Sequence, residues 1–99
     1  MRLRITAEAR AHLLAIRRYT ILKFGMTQAR QYRNRLESAF VTLLEHPEAG
    51  IEAPHDLGRD IRILNVTRHR IFYRVDGQTV AVLAILHERQ LPELFFDDE

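Results

Sequence analysis

The sequence predicts an α+β domain: a helical hairpin packed on one face of a small, mostly antiparallel sheet, in the order strand, helix, helix, strand, strand, strand. Three observations predict it. Two stretches with apolar residues every three or four positions are separated by Gly25. After Gly58 the period changes to two. Val80 to Leu86 is apolar throughout, as in a strand buried on both faces.

Each element follows from local chemistry. Leu3 and Ile5 alternate with Arg2 and Arg4, giving a short first strand with one buried face. Thr6 is a helix N-cap, and Glu8 stands where the helix dipole favours an acid. Ala9, Leu13, Ile16, Thr20 and Phe24 form the apolar stripe of the first helix, with Tyr19 beside it. Gly25 terminates that helix and Thr27 caps a second, with the stripe Ala29, Tyr32, Leu36, Ala39, Phe40, Leu43 and Leu44. Pro47 ends it, and residues 51–58 read as a loop. Ile61, Ile63 and Asn65 alternate with Arg62 and Leu64 as a strand. A turn near Thr67 to His69 leads to Ile71–Val75, and Asp76-Gly77 signals a hairpin turn into Val80–Leu86. Pro92 stops regular pairing, and residues 93–99 form an acidic tail whose last five residues, 95–99, are expected to be loose, with Phe95 and Phe96 free to dock.

Composition bounds the function. Ninety-nine residues make one domain, here 1–92 with the tail appended. There is no cysteine, which excludes disulfides, a thiol nucleophile and a zinc-thiolate site, and makes the cytoplasm the simpler home. The seven-residue run from Val80 to Leu86 is far short of the ~20 residues of a membrane span, and no apolar run of the length expected of a signal peptide follows Met1–Ile5. Residues 1–50 carry nine basic and four acidic side chains, whereas residues 51–99 carry six and nine. From Ala9 to Leu36 there are seven basic residues and no acid. Fourteen of the fifteen cations are arginine, whose rigid fork of donors suits carboxylates and phosphates. This face is either simply solvated or matched to an acidic partner, protein or nucleic acid.

Catalytic signatures are sparse. There is no phosphate-binding glycine loop, and no two of the histidines, at 12, 46, 55, 69 and 87, lie four apart on one helix, so neither a cofactor nor a metal is implied. Ser38, the one serine, lies mid-helix among apolar positions. What remains is an arginine-rich set on the late strands: Arg59, Arg62, Arg68, His69, Arg70, Tyr73, Arg74, His87 and Arg89. Tyr73 reads as a core residue with a hydrogen-bonded hydroxyl, His87 as the cap of a strand end, and Arg62 and Arg74 as sheet charges. The alternative is a metal-free nuclease in which arginine stabilises phosphoryl charge and His69, His87 or Glu88 moves protons.

Taken in order, several segments resemble the ParE/RelE superfamily of toxins from type II toxin–antitoxin pairs. These are Ile5–Ile16, Tyr19, Phe24-Gly25, Gln28-Ala29, Tyr32, Glu45–Gly50, Ile61–Leu64, His69–Val75 and Val82–Arg89. The resemblance implies a RelE/ParE-like fold and a cognate antitoxin whose disordered, acidic C-terminal segment folds onto the toxin, with operator DNA reached only through the antitoxin. Arg10, Arg17, Arg18, Arg30 and Arg33 are the expected antitoxin-binding residues. Phe72-Tyr73-Arg74 and Leu86-His87-Glu88-Arg89 look closer to the ParE branch, whose members are reported to poison DNA gyrase without catalysis. Under that reading Arg62, Arg70, Arg74, His87 and Arg89 contact the target. The runners-up are a RelE-type, ribosome-dependent messenger RNA endoribonuclease using Arg62, Arg74 and His87, and a non-toxic relic that binds only its antitoxin.

Overall fold

The computed structural model describes residues 1–96. The element order is β1 (Arg2–Ile5), α1 (Ala7–Phe24), α2 (Met26–Glu45), β2 (Ile51–Glu52), a 3-10 turn (His55–Leu57), β3 (Arg62–Val66), β4 (His69–Asp76), β5 (Thr79–His87) and α3 (Pro92–Phe95). The sheet runs β1-β5-β4-β3-β2. Only the β1–β5 pair is parallel. The predicted α+β class and element order hold, with β2 as a two-residue edge strand inside the segment read as a loop.

The hairpin is built on two caps. The Thr6 hydroxyl oxygen accepts from the Ala9 amide at 3.1 Å and donates to the Leu83 carbonyl at 3.2 Å, tying the start of α1 to β5. Gly25, at φ 93°, is at once the last cap of α1 and the first of α2. Glycine tolerates that positive φ, which is why the link needs only one residue. Thr27 therefore caps nothing; it lies inside α2, which begins at Met26.

The stripe of α2 packs as expected: Leu36, Ala39, Phe40 and Leu43 join Ile71, Tyr73, Val80, Val82 and Ile85 in the main core. The stripe of α1 packs only over its first half, where Ala9, Leu13 and Ile16 meet this core. Ala9 is its one buried residue, and Phe24 and Tyr19 are each 59% exposed. Both lie near the hairpin tip, and neither belongs to the core cluster on the sheet.

Strand β5 carries an irregularity that sets both of its faces. Tyr73 pairs with Val82 and Phe72 with Ala84, so Leu83 is left over as a bulge. Val80, Val82 and Ile85 thus face the helices, while Ala84 and Leu86 face away. The carbonyl of Leu83 takes the Thr6 hydroxyl, and the amide of Ile85 donates to His12 Nδ1 at 3.1 Å. Two side chains from the start of α1 so satisfy the β5 edge where β1 has ended.

The far face of the sheet is covered. Ala53, Leu57 and Ile61 pack with Phe72, Ala84 and Leu86, and Phe95 and Phe96 lie against them. Burying two aromatic rings outweighs leaving this short segment free, so the expected loose tail holds a docked helix as far as Phe96. Residues 97–99 lie outside the described residues.

Candidate functional site

Three arginines of the hairpin line an apolar cleft. Its volume is about 450 Å³, and Leu13, Ile16, Ala29, Leu36 and Phe40 are among its walls, with Ile5 below. Small Ala29 and Thr20 stand where larger side chains would fill the space between the helices. Leu14, also lining it, is 47% exposed. Arg10, Arg17 and Arg33 line the cleft, together with Glu37. Arg18 and Arg30 are exposed but do not line it. Arg33 donates to Glu37 at 3.1 Å across one helical turn, a solvated pair of small energetic worth. Arg10 and Arg17, which have no ion-pair partner among the described residues, and the exposed apolar walls form a surface suited to an amphipathic segment carrying carboxylates.

The strand residues divide differently. Directly opposed residues share a sheet face. Arg62 opposes Tyr73, and His69 opposes both Val66 and His87, all on the helix side. Arg70 opposes Leu86, and Arg74 follows Tyr73, so both point to the far side. Arg62 and His87 are separated along β4 by the four steps from Tyr73 to His69, roughly 13 Å of strand. The nuclease set Arg62, Arg74 and His87 therefore does not converge on one phosphodiester. The five target-binding candidates likewise form no single patch.

Several of these side chains have structural partners. The Tyr73 hydroxyl donates to the Pro47 carbonyl at 2.6 Å and accepts from the Gly50 amide at 2.9 Å. Arg62 donates to the Gly50 carbonyl at 2.7 Å. A Cβ on Gly50 would come within 2.7 Å of the Ile63 carbonyl and 2.8 Å of the Tyr73 ring, so this turn requires glycine for space. Burial pushes the Tyr73 hydroxyl pKa up. Arg74 donates to the Arg59 carbonyl at 3.1 Å and Arg70 to that of Gln90 at 2.6 Å. The His87 amide donates to Gln90 Oε1 at 2.7 Å, and its Nδ1 accepts from the Arg89 amide at 3.1 Å. Arg89 itself is exposed.

Three ring side chains, of which the sequence grouped His69 and His87 but not Tyr32, meet at the β3–β4 turn. The Tyr32 hydroxyl donates to the Val66 carbonyl at 3.1 Å and hydrogen-bonds His69 Nδ1. His69 lies edge-on to His87, with ring centroids 5.3 Å apart. Burial, and then the neighbouring His87, lower the pKa of His69 to about 4, so it is uncharged at neutral pH. Burial likewise raises the Tyr32 pKa. Thr67 in the same turn holds φ 54°, unusual for a β-branched residue. His12 was weighed only as a metal ligand, and its bond to β5 was not foreseen; its position one residue before Leu13, beside the stripe, was the available signal. Among the described residues no three of His, Asp and Glu lie close enough to share a metal.

The comparisons with known proteins follow the same lines. The profile of the family described as "ParE toxin of type II toxin-antitoxin system, parDE" matches residues 3–92. The chain belongs to this toxin family. It is 34% identical to Toxin ParE1 of Mycobacterium tuberculosis (strain H37Rv) over 86 residues, 86% of this chain and 87% of that one. It is 35% identical to Toxin ParE of Escherichia coli over 86 residues, 86% and 82% of the two chains. The fold is similar to a chain in the structure titled "Chromosomal ParDE TA system from P. aeruginosa". The TM-score is 0.75 at 22% identity, covering 88% of this chain and 95% of that one. No helix among the described residues is long and apolar enough to cross a membrane.

Proposed function

We propose that this ParE-type toxin acts in the cytoplasm by binding DNA gyrase, without catalysis of its own, and that a cognate antitoxin neutralises it by laying an acidic amphipathic segment into the cleft between α1 and α2. The cleft carries the second half of this reading: an apolar floor with Arg10, Arg17 and Arg33 at its edge, in a stretch from Ala9 to Leu36 without a single acid. Such a segment gains by burying its apolar face and pairing its carboxylates with the rim. Family membership supports the gyrase half, and the scatter of Arg62, Arg74 and His87 over both sheet faces speaks against the nuclease alternative. The acidic residues 93–99 are read as an appendage to a single toxin domain.

The direct test of the target is a supercoiling assay with purified gyrase. Inhibition without RNA cleavage is expected; intact supercoiling together with new transcript ends in primer extension would reject the proposal. The test of the cleft is binding of the antitoxin encoded beside this gene. Leu14→Glu with Arg17→Glu should weaken it at least tenfold, roughly, with the fold intact. Unchanged affinity would move the antitoxin elsewhere.

A further inference from the structure

The sheet face opposite the helices is closed by Ala53, Leu57 and Ile61 and, lightly, by the chain's own C-terminal segment. Phe96 packs on Phe72 with ring centroids 5.3 Å apart, and Phe95 lies edge-on to Phe96 at 4.9 Å and to His12 at 5.0 Å. Helix α3 has four residues and no side-chain cap, and Leu94 within it is 75% exposed. A helix this short has no stability of its own, so its two rings hold it in place. Beneath them Phe72 and Ala84 are fully buried. Lifting the segment would bare an apolar face.

That face has a charged border with an unmet need. The Arg70 guanidinium lies 5.5 Å over the Phe72 ring, and one of its nitrogens donates to the Gln90 carbonyl. Its Nε is buried and finds no acceptor among the described residues. Buried donors without acceptors are costly, and a carboxylate is the strongest acceptor for arginine. Arg74 projects from the same face. The chain's segment has the complementary composition: Phe95 and Phe96 are preceded by Glu93 and followed in sequence by Asp97, Asp98 and Glu99.

We propose that this face is a second binding surface, for a partner peptide that presents paired aromatic side chains next to carboxylates, and that residues 91–96 cover it in cis as an intramolecular stand-in. The surface lies on the other side of the sheet from the helical cleft, and the proposal is independent of the antitoxin reading.

The probe is a labelled nonapeptide with the sequence of residues 91–99, titrated against the full-length chain by fluorescence anisotropy. A site open only part of the time binds weaker by the fraction open. The full-length Phe95→Ala/Phe96→Ala variant should therefore bind the peptide at least about tenfold tighter than the unsubstituted chain. Adding Arg70→Gln should weaken that binding about tenfold again. Absence of saturable binding to the folded variant, or equal affinity for both chains, would overturn the proposal. Should circular dichroism show the double variant unfolded, Phe96→Ala alone takes its place under the same two criteria. In the unsubstituted chain, excess peptide should shift the Phe72 ring resonances; unmoved resonances at saturating peptide count against the surface.

Discussion

Replacing His69 with asparagine should flatten the dependence of folding stability on pH. In the folded chain burial and the facing His87 hold the His69 pKa near 4, against an ordinary 6.5. The unfolded chain therefore binds the proton first as pH falls. Stability contributed by the neutral ring is fully present above about 6.5, declines below it, and levels off near 4. A gap of this size corresponds to roughly 3 kcal/mol at its limit. His69 is only partly buried, and solvent screening reduces the effect to about 1–2 kcal/mol between pH 7.5 and pH 5. With a urea dependence near 1 kcal/mol per molar for a small domain, that is a fall of roughly 1–2 M in the denaturation midpoint. Urea unfolding followed by far-ultraviolet circular dichroism at pH 7.5, 6 and 5 reads it directly. The variant loses the bond to Tyr32 at every pH, so the slopes are compared rather than the absolute stabilities. His12, whose pKa burial also lowers, remains in both proteins and cancels in the comparison. If the two chains lose stability in parallel, His69 does not titrate as its surroundings dictate.

Three further substitutions test the scaffold. Tyr73→Phe leaves the Gly50 amide and the Pro47 carbonyl without their partner and should cost about 2–3 kcal/mol in urea unfolding; a loss below about 0.5 kcal/mol would mean water replaces the hydroxyl. Gly50→Ala forces a methyl group against the Ile63 carbonyl and the Tyr73 ring. It should destabilise by about 2 kcal/mol or more, and in a double-mutant cycle with Tyr73→Phe, which removes the hydroxyl the methyl also meets, the combined loss should be smaller than the sum of the two single losses. Thr67→Asn places a residue tolerant of positive φ in the β3–β4 turn and should raise stability by about 0.5–1 kcal/mol, read as a higher melting temperature.

Much of the fold was legible because its signals are local. The change from helical to strand periodicity, Gly25 between the helices and the two-sided apolar run of β5 each depend on a few neighbouring residues. The Thr27 cap failed because one glycine can serve both helices, which no pattern in the side chains reveals. The exposure of Tyr19 and Phe24 was hidden for a related reason. An apolar stripe records which face of a helix is hydrophobic, but not how far a sheet extends beneath it. The covered far face depended on whether Phe95 and Phe96 reach Phe72, a contact across more than twenty residues of chain.

The sequence by itself determined the two long helices, the main strands, the basic hairpin and the family, since composition and spacing are properties of the chain alone. Only the tertiary structure decided which arginines act together. Arg10, Arg17 and Arg33 come from two helices and meet at one cleft because a single glycine folds those helices together. Arg62 and Arg74 belong to successive strands of one hairpin, yet the pleat turns them to opposite faces. The same arginine-rich composition thus rims an apolar cleft in one place and ties down backbone carbonyls in the other.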